Sequence, residues 1–326
     1  MLNVDVVCLG EALIDFIPLE KGVPLMEVSG FRKAPGGAPA NVAAGLSKLG
    51  NPSAFLGKVG DDPFGWFLEK TFAENGVDTG HMLFDPCART GLAFVSLTVE
   101  GIPEFMFYRN PSADMLLTAD EIDVRFIKSA RAFHYGSITL ISEPSKSATE
   151  AAIRCASEGG LLISYDPNLR KPLWPSLDLA KEQMLAAMVY PHVVKVSEEE
   201  LAFLSDVSDL SDASDWLMSA YPNILLLAVT LGSEGCYFRT AKAEGDVPGF
   251  KVEVVETTGA GDGFVAGMLH CLLSIASEPK DIKKIHRIDL AHIFRFANAV
   301  AALTTTKPGA ITALPCRADV VKLLQA

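Results

Sequence analysis

The residues best placed to do chemistry lie near the carboxyl end, in Glu256-Thr-Thr-Gly-Ala-Gly-Asp-Gly-Phe264. A β-rich run, Val252–Val255, is expected to be a strand that ends where this small-residue loop begins. A helix is expected at once after it, because Phe264, Met268 and Leu272 recur every four residues. The first turn of a helix leaves backbone N–H groups without partners, and glycines let an anion approach them. Gly259, Ala260 and Gly261 are therefore a candidate anion hole, with Asp262 at the helix start pointing at whatever binds there. A carboxylate repels an anion, so it has no place in simple phosphate holding. It fits if it takes a proton from a nucleophile attacking that phosphate. An acidic residue favoured only by the helix dipole would look the same, and the loop alone leaves both readings open.

A second small-residue junction is Ala34-Pro-Gly-Gly-Ala-Pro-Ala-Asn-Val42. Gly36 and Gly37 allow close backbone approach, Pro39 suits a first helical turn, and the Asn41 amide can both donate and accept. Such a site suits hydroxyl groups, or else it is an ordinary glycine-rich turn. Asp15, in Gly10-Glu-Ala-Leu-Ile-Asp15, could accept two sugar hydroxyls there. The chain contains no G-x-x-x-x-G-K-[ST] loop, protein-kinase catalytic loop, G-x-S-x-G elbow or H-E-x-x-H helix. Its six histidines are dispersed, and His134 and His270 read as core or surface residues, not ligands.

The elements that must position these residues alternate. Val4–Leu9, Ser53–Leu56, Ala132–Tyr135, Leu161–Tyr165, Val193–Val196 and Ile224–Thr230 are further expected strands. Helices are expected at Pro39–Leu49, Phe64–Glu74, Glu143–Ser157, Leu179–Met188, Ala260–Leu273 and Leu290–Thr304. That order predicts an α/β fold with a mostly parallel sheet covered on both faces. Ala93–Thr98 and Glu104–Arg109 break the pattern as a hairpin, joined by Val-Glu-Gly-Ile-Pro, and Phe16–Lys33 also lacks helical periodicity. Both read as a small inserted β-structure, a lid or a subunit contact. Ser205–Asp215 and Glu278–Arg287 read as solvated loops or helix ends.

Composition narrows the partners. The 326 residues carry 40 acidic and 28 basic side chains, a formal charge of −12, which argues against a nucleic-acid or anionic-membrane partner held by bulk charge. An anionic ligand must then be held locally. The six cysteines show no C-x-x-C pair and read as reduced thiols of a cytoplasmic protein. The amino end has Asp5 where a signal peptide would be apolar, and no aliphatic run is long enough to span a bilayer.

Taken together, Gly36-Gly-Ala-Pro-Ala-Asn41, Gly57-Lys-Val-Gly-Asp-Asp62 and Thr257-Thr-Gly-Ala-Gly-Asp262 resemble the ribokinase (pfkB-type) family of carbohydrate kinases over nearly the whole chain. Phe107-Tyr-Arg-Asn-Pro-Ser-Ala-Asp114, His134-Tyr-Gly-Ser137, Ser164-Tyr-Asp-Pro-Asn-Leu-Arg170 with Leu173-Trp174, and Lys195-Val-Ser-Glu-Glu-Glu200 resemble its fructokinase branch. The resemblance implies one ribokinase-like α/β domain over residues 1–326, with a β lid from about 12–34 and 88–112 that also forms a homodimer contact. It implies ATP and Mg²⁺, with Asp262 as general base on a primary sugar hydroxyl and the Gly259–Gly261 loop steadying the phosphoryl group. Asp15, Gly36, Gly37 and Asn41 would bind sugar hydroxyls; Phe105, Phe107 and Arg109, on one face of the lid strand, and Arg170 would flank the sugar. Lys195, Thr230, Gly232, Gly235 and Asn298 would serve the nucleotide, and Glu200 would hold Mg²⁺ through water.

Three positions depart from the family pattern. Glu256 replaces an Asp in a region where relatives bind a potassium-type cation, which makes Glu256 the candidate K⁺ ligand and puts monovalent activation in doubt. Ser197 replaces the Asn of an Asn-x-x-Glu motif. Phe107 replaces a Tyr found in ketodeoxygluconate kinases, which favours a neutral ketose. The leading expectation is phosphorylation of D-fructose to fructose 6-phosphate. The alternatives are a ketodeoxygluconate kinase, an aminoimidazole riboside kinase, or a non-catalytic scaffold, although Asp262 and its glycines are all present. A nucleotide-dependent oxidoreductase would need G-x-G-x-x-G after the first strand, where Cys8-Leu-Gly-Glu-Ala-Leu stands instead.

Overall fold

A computed structural model of the protein describes residues 4–20, 22–97 and 103–325. The chain runs through β1 (Val6–Leu9), β2 (Leu13–Pro18), β3 (Phe31–Gly36), α1 (Ala38–Leu49), β4 (Ser53–Gly60) and α2 (Pro63–Glu74). Two short strands, β5 (Val77–Asp78) and β6 (Met82–Asp85), lead to β7 (Gly91–Leu97), β8 (Pro103–Tyr108) and α3 (Val124–Lys128). Strands and helices then alternate: β9 (Ala132–Tyr135), α4 (Ser145–Glu158), β10 (Leu162–Tyr165), α5 (Leu177–Ala187), β11 (Val193–Ser197), α6 (Glu198–Ser205), α7 (Leu210–Ala220) and β12 (Leu226–Thr230). The chain ends with β13 (Gly235–Arg239), β14 (Glu244–Pro248), α8 (Ala260–Ile275), α9 (Arg287–Thr304) and α10 (Arg317–Gln325).

The large sheet has the order β14-β13-β12-β11-β10-β9-β1-β4-β5, with β6 also pairing β4. All its pairings from β12 to β4 are parallel, and β13 and β14 add an antiparallel edge. Both faces are covered, so successive strand residues all find a core. Val6 and Cys8 of β1 join the layer that includes α1, α8 and α9, whereas Val7 and Leu9 join the opposite layer with α4 and α5. In α8, Phe264, Met268 and Leu272 are all buried, as their period predicts. Each such burial contributes about 2 kcal/mol, so α8 is held firmly where its amino end is needed.

A separate four-stranded sheet has the order β3-β2-β7-β8, with β7 and β8 antiparallel as expected of the hairpin. The expected turn at 99–103 lies largely outside the described residues. On one face of this sheet Phe16 stacks on Phe94 at 4.9 Å and meets Phe64 of α2 at 5.8 Å. Because side chains alternate along β2, Asp15 points to the other face.

One expected element is absent. Val252–Val255 is not a strand: it pairs with no strand of either sheet, and Val254 and Val255 are exposed. The Val255 and Glu256 N–H groups instead share the Thr305 carbonyl at 2.8 and 3.2 Å. The acidic stretch 205–215 holds the end of α6 and the start of α7, capped by Asp209. All six cysteines are free, and His134 is a buried, neutral core residue whose ring is pushed down to about 3 by burial. Among the described residues no helix is long and apolar enough to cross a membrane.

Candidate active site

Polar side chains collect along the carboxyl ends of the parallel strands, where α/β sheets place their ligand crevices. Glu11 follows β1, Asp166 follows β10, Lys195 lies within β11 and Ser197 ends it, and Thr230 ends β12. The amino ends of α1 and α8 meet at this edge. Asn41, in the first turn of α1, donates from Nδ2 to Asp262 Oδ2 at 2.7 Å across 221 residues of sequence.

Asp262 is buried in the first turn of α8. Burial pushes its carboxyl up to about 6. The Asn41 hydrogen bond opposes that rise, the Asp166 charge adds to it, and the Arg170 and Lys195 charges hold it back. A carboxyl poised near neutrality, on a rigid helix end, can accept a proton at physiological pH. Lys195 lies beside it: a Cβ placed on Gly261 would stand 3.2 Å from its ammonium. Burial works against the Lys195 charge, but Asp166, bonded at 3.0 Å, and Glu200 more than compensate, so its pKa is raised and it stays a cation.

Gly259 adopts φ 79° as the cap of α8, and a Cβ there would meet Ala310 at 2.8 Å. Only glycine fits both the left-handed backbone and that approach. The Ala260 N–H turns back onto the Thr257 carbonyl at 3.2 Å. The Gly259 and Gly261 N–H groups have no acceptor among the described residues and point the helix end at the crevice. The anion hole therefore rests more on Gly259 and Gly261 than on Ala260.

On the opposite side, Asp15 of β2 looks into the same crevice. Burial pushes its carboxyl up to about 7; Arg170 counteracts this, and Glu256, Asp262 and Glu11 add to it. Gly36 makes room for that carboxylate, since a Cβ there would stand 2.3 Å from Asp15 Oδ2. Gly37 caps α1 with φ 113°, packed on the Glu11 carbonyl. Glu11, which the sequence reading passed over, accepts the Ala38 N–H at 2.9 Å and is pushed up to about 7 by burial. Arg109 is buried, and its guanidinium is bonded through Nε and Nη2 to Asp114. Phe107 pairs with Ala93 in the sheet register and Phe105 with Val95; the Phe105 side chain lies outside the described residues. Arg170, ahead of a short helical turn, is close enough to Asp15 and Asp262 to act on both.

The residues expected at the nucleotide have defined local roles. Glu200 forms a capping box with Ser197 and also accepts the Leu169 N–H at 2.7 Å, so each of its oxygens already holds one backbone donor. Gly232 and Gly235, with φ 58° and 105°, bend the turn after Thr230, whose hydroxyl faces the Val196 carbonyl. Asn298 is buried and donates to the Val247 and Pro248 carbonyls, fixing α9 against β14. Its amide thus shapes the edge of this region from within the fold. Asp166, also passed over in the sequence, leaves Oδ1 buried with no hydrogen-bond partner among the described residues. A carboxylate oxygen so placed fits a hydrated divalent cation, with Glu200 oriented behind it. The sequence signals for Glu11 and Asp166 were their places just past apolar strands, and Asp166 also lies in a stretch that carried the family resemblance.

The model of the pfkB family carbohydrate kinases matches residues 3–317. Fructokinase-1 of Zea mays is 51% identical over 321 residues, covering 98% of this chain and 97% of its own. Among solved structures, fructokinase from Xylella fastidiosa with bound ATP superposes with TM-score 0.90 at 34% identity over 99% of both chains. Fructokinase from Vibrio cholerae O395, bound to fructose, ADP and calcium, superposes with TM-score 0.86 at 36% identity, again over 99% of both chains. With Asp262 held by Asn41 at the mouth of an open helix end, and with these likenesses across its length, the chain belongs to the pfkB family of carbohydrate kinases.

Proposed function

We propose that this kinase transfers the γ-phosphoryl group of ATP to the primary hydroxyl of D-fructose, giving fructose 6-phosphate. The observation that carries the reading is the Asn41–Asp262 contact at the amino end of α8, beside Lys195 and the free glycine N–H groups. Asp262 takes the hydroxyl proton as the oxygen attacks. The N–H groups of Gly259 and Gly261 and the Lys195 ammonium then meet the charge spreading over the transferring phosphoryl oxygens. Asp15, whose position Gly36 secures, and the open Oδ1 of Asn41 accept and orient sugar hydroxyls. Arg170 balances the two carboxylates that would otherwise repel the nucleotide. Mg²⁺, when bound, neutralises phosphate charge; Asp166 would hold it through water, with Glu200 behind.

A neutral sugar is favoured over ketodeoxygluconate because the Arg109 guanidinium is already neutralised by Asp114. The four-stranded sheet acts as a lid over the sugar. Its exposed Met106 and Tyr108 offer an apolar strip to a second copy, which supports a homodimer. We place the protein in the cytoplasm.

Coupled ADP release with MgATP tests the reading across fructose, glucose, ribose, ketodeoxygluconate and aminoimidazole riboside. Fructose should give the highest kcat/KM. Preference for another sugar would overturn the substrate, and silence from folded, ATP-binding protein would overturn catalysis.

A further inference from the structure

The Glu256 carboxylate, the candidate ligand of a potassium-type ion, already has one oxygen engaged and a cation fixed to the chain beside it. Glu256 Oε2 accepts the Gly309 N–H at 2.9 Å and lies 3.9 Å from Nη2 of Arg32. Arg32 belongs to β3, opposite Ile17 of β2, and so is carried by the small sheet proposed above as the lid over the sugar.

We propose that the Arg32 guanidinium is the resident cation of the Glu256 site, delivered by the lid, so that turnover needs no monovalent metal. The inference rests on the kinase reading above and extends it to how the lid and the anion hole are joined. Glu256 faces the crevice closely enough for its charge to raise the Asp15 carboxyl. Left unpaired, it would add to the negative charge of Asp15 and Asp262 just where the nucleotide phosphates must enter. A cation fixed to the chain cancels that charge without the translational entropy lost when an ion is captured. The contact also has a mechanical continuation. Glu256 holds Gly309, the next residue Ala310 packs against Gly259, and Gly259 caps the helix whose free N–H groups form the hole. Closing the lid therefore sets Arg32 against the segment that shapes the hole. The longer side chain of Glu at this position brings the carboxylate to an organic cation. Arg32 acts through Glu256 and is a positioning residue.

Arg32 is half-exposed, so replacing it opens no core cavity. The test uses the full chain in buffer with tetramethylammonium as the only monovalent cation, with and without KCl. It reads fructose-dependent ADP release and, separately, the melting temperature without substrates. Wild type should show the same rate and melting temperature in both buffers. Arg32→Met should lose about tenfold in kcat without KCl, a geometric effect at the reacting centre. KCl should restore that loss and raise the variant's melting temperature, because an ion that binds only the folded state stabilises it. Arg32→Lys should stay near wild type in both buffers. KCl activation and thermal stabilisation of wild type would overturn the proposal, as would Arg32→Met matching wild type without KCl. Absence of ADP release from every protein would count against the kinase reading alone, while the melting temperatures still decide which cation serves Glu256.

Discussion

The chain carries two glycine-rich junctions that look alike in sequence and do different work in the fold. At the first, Gly36-Gly37 ahead of α1, the protein fills the space with its own carboxylates. Asp15 occupies the room left by Gly36, and Glu11 takes the Ala38 N–H at 2.9 Å. At the second, Gly259–Gly261 ahead of α8, the N–H groups of Gly259 and Gly261 stay open, Lys195 stands beside them, and no side chain caps the helix. A helix amino end attracts negative charge in either case. What differs is who supplies it: the chain itself at α1, and in the proposed reaction a substrate phosphoryl group at α8. On that proposal the first junction would fix where the sugar lies, and the second where phosphate arrives. Asn41 ties the two together through Asp262.

The largest expected effect breaks the second junction. Asp262→Asn keeps the shape and the Asn41 contact in reach but cannot accept a proton, so kcat should fall by about a thousandfold. ATP affinity, measured by calorimetry, should survive. A loss of less than tenfold would mean that another group is the base. The next effect strikes the first junction. Gly36→Ala places a Cβ against Asp15 Oδ2, displacing the carboxylate that orients the sugar. Fructose kcat/KM should drop by about a hundredfold, as for other ångström-scale misplacements, with the KM for ATP little changed. An equal loss on both substrates would show that the two junctions are not separate in function.

A smaller effect concerns stability. Glu11 is raised from an ordinary 4.5 to about 7 by burial, so its ionisation disfavours the folded state. The folded protein holds the proton more tightly than the unfolded chain, and stability from this group is lost as pH rises from about 4.5 through 7. Glu11→Gln keeps an acceptor for the Ala38 N–H and removes the charge. It should be more stable than wild type by on the order of 2 kcal/mol at pH 8, with the difference vanishing near pH 4. Urea unfolding at the two pH values checks this. A variant less stable than wild type at pH 8 would show that the charge itself, through Arg109, holds the junction together.

Much of this layout was legible in the sequence, and the exceptions have physical causes. Apolar runs buried on both faces, such as Ala132–Tyr135, announce strands whatever their surroundings. Val252–Val255 is rich in valine, but the Val255 and Glu256 N–H groups go to the Thr305 carbonyl, and Val254 and Val255 stay exposed with no core to join. The Asp262 and Asn41 positions were evident from the small-residue loops around them; the bond between them spans 221 residues and could come only from the fold. Arg109, expected on one face with Phe105 and Phe107, lies one residue beyond the end of β8. The partner that neutralises it, Asp114, lies beyond the strand where periodicity says nothing. Glu11 and Asp166 were missed because one carboxylate after an apolar strand reads the same whether it ends in water or in a crevice.

The central claim is that Asp262 receives the proton of the sugar hydroxyl. Its most direct test is the pH dependence of fructose kcat/KM at saturating nucleotide, for wild type and for Asn41→Ala. Wild type should lose activity on the acid side, with a limb near pH 6 marking protonation of Asp262 below that of Asp15, which is raised to about 7. Removing the Asn41 hydrogen bond, which favours the ionised form, should move that limb to higher pH. A wild-type profile flat through pH 6, or a limb that Asn41→Ala leaves in place, would contradict the assignment.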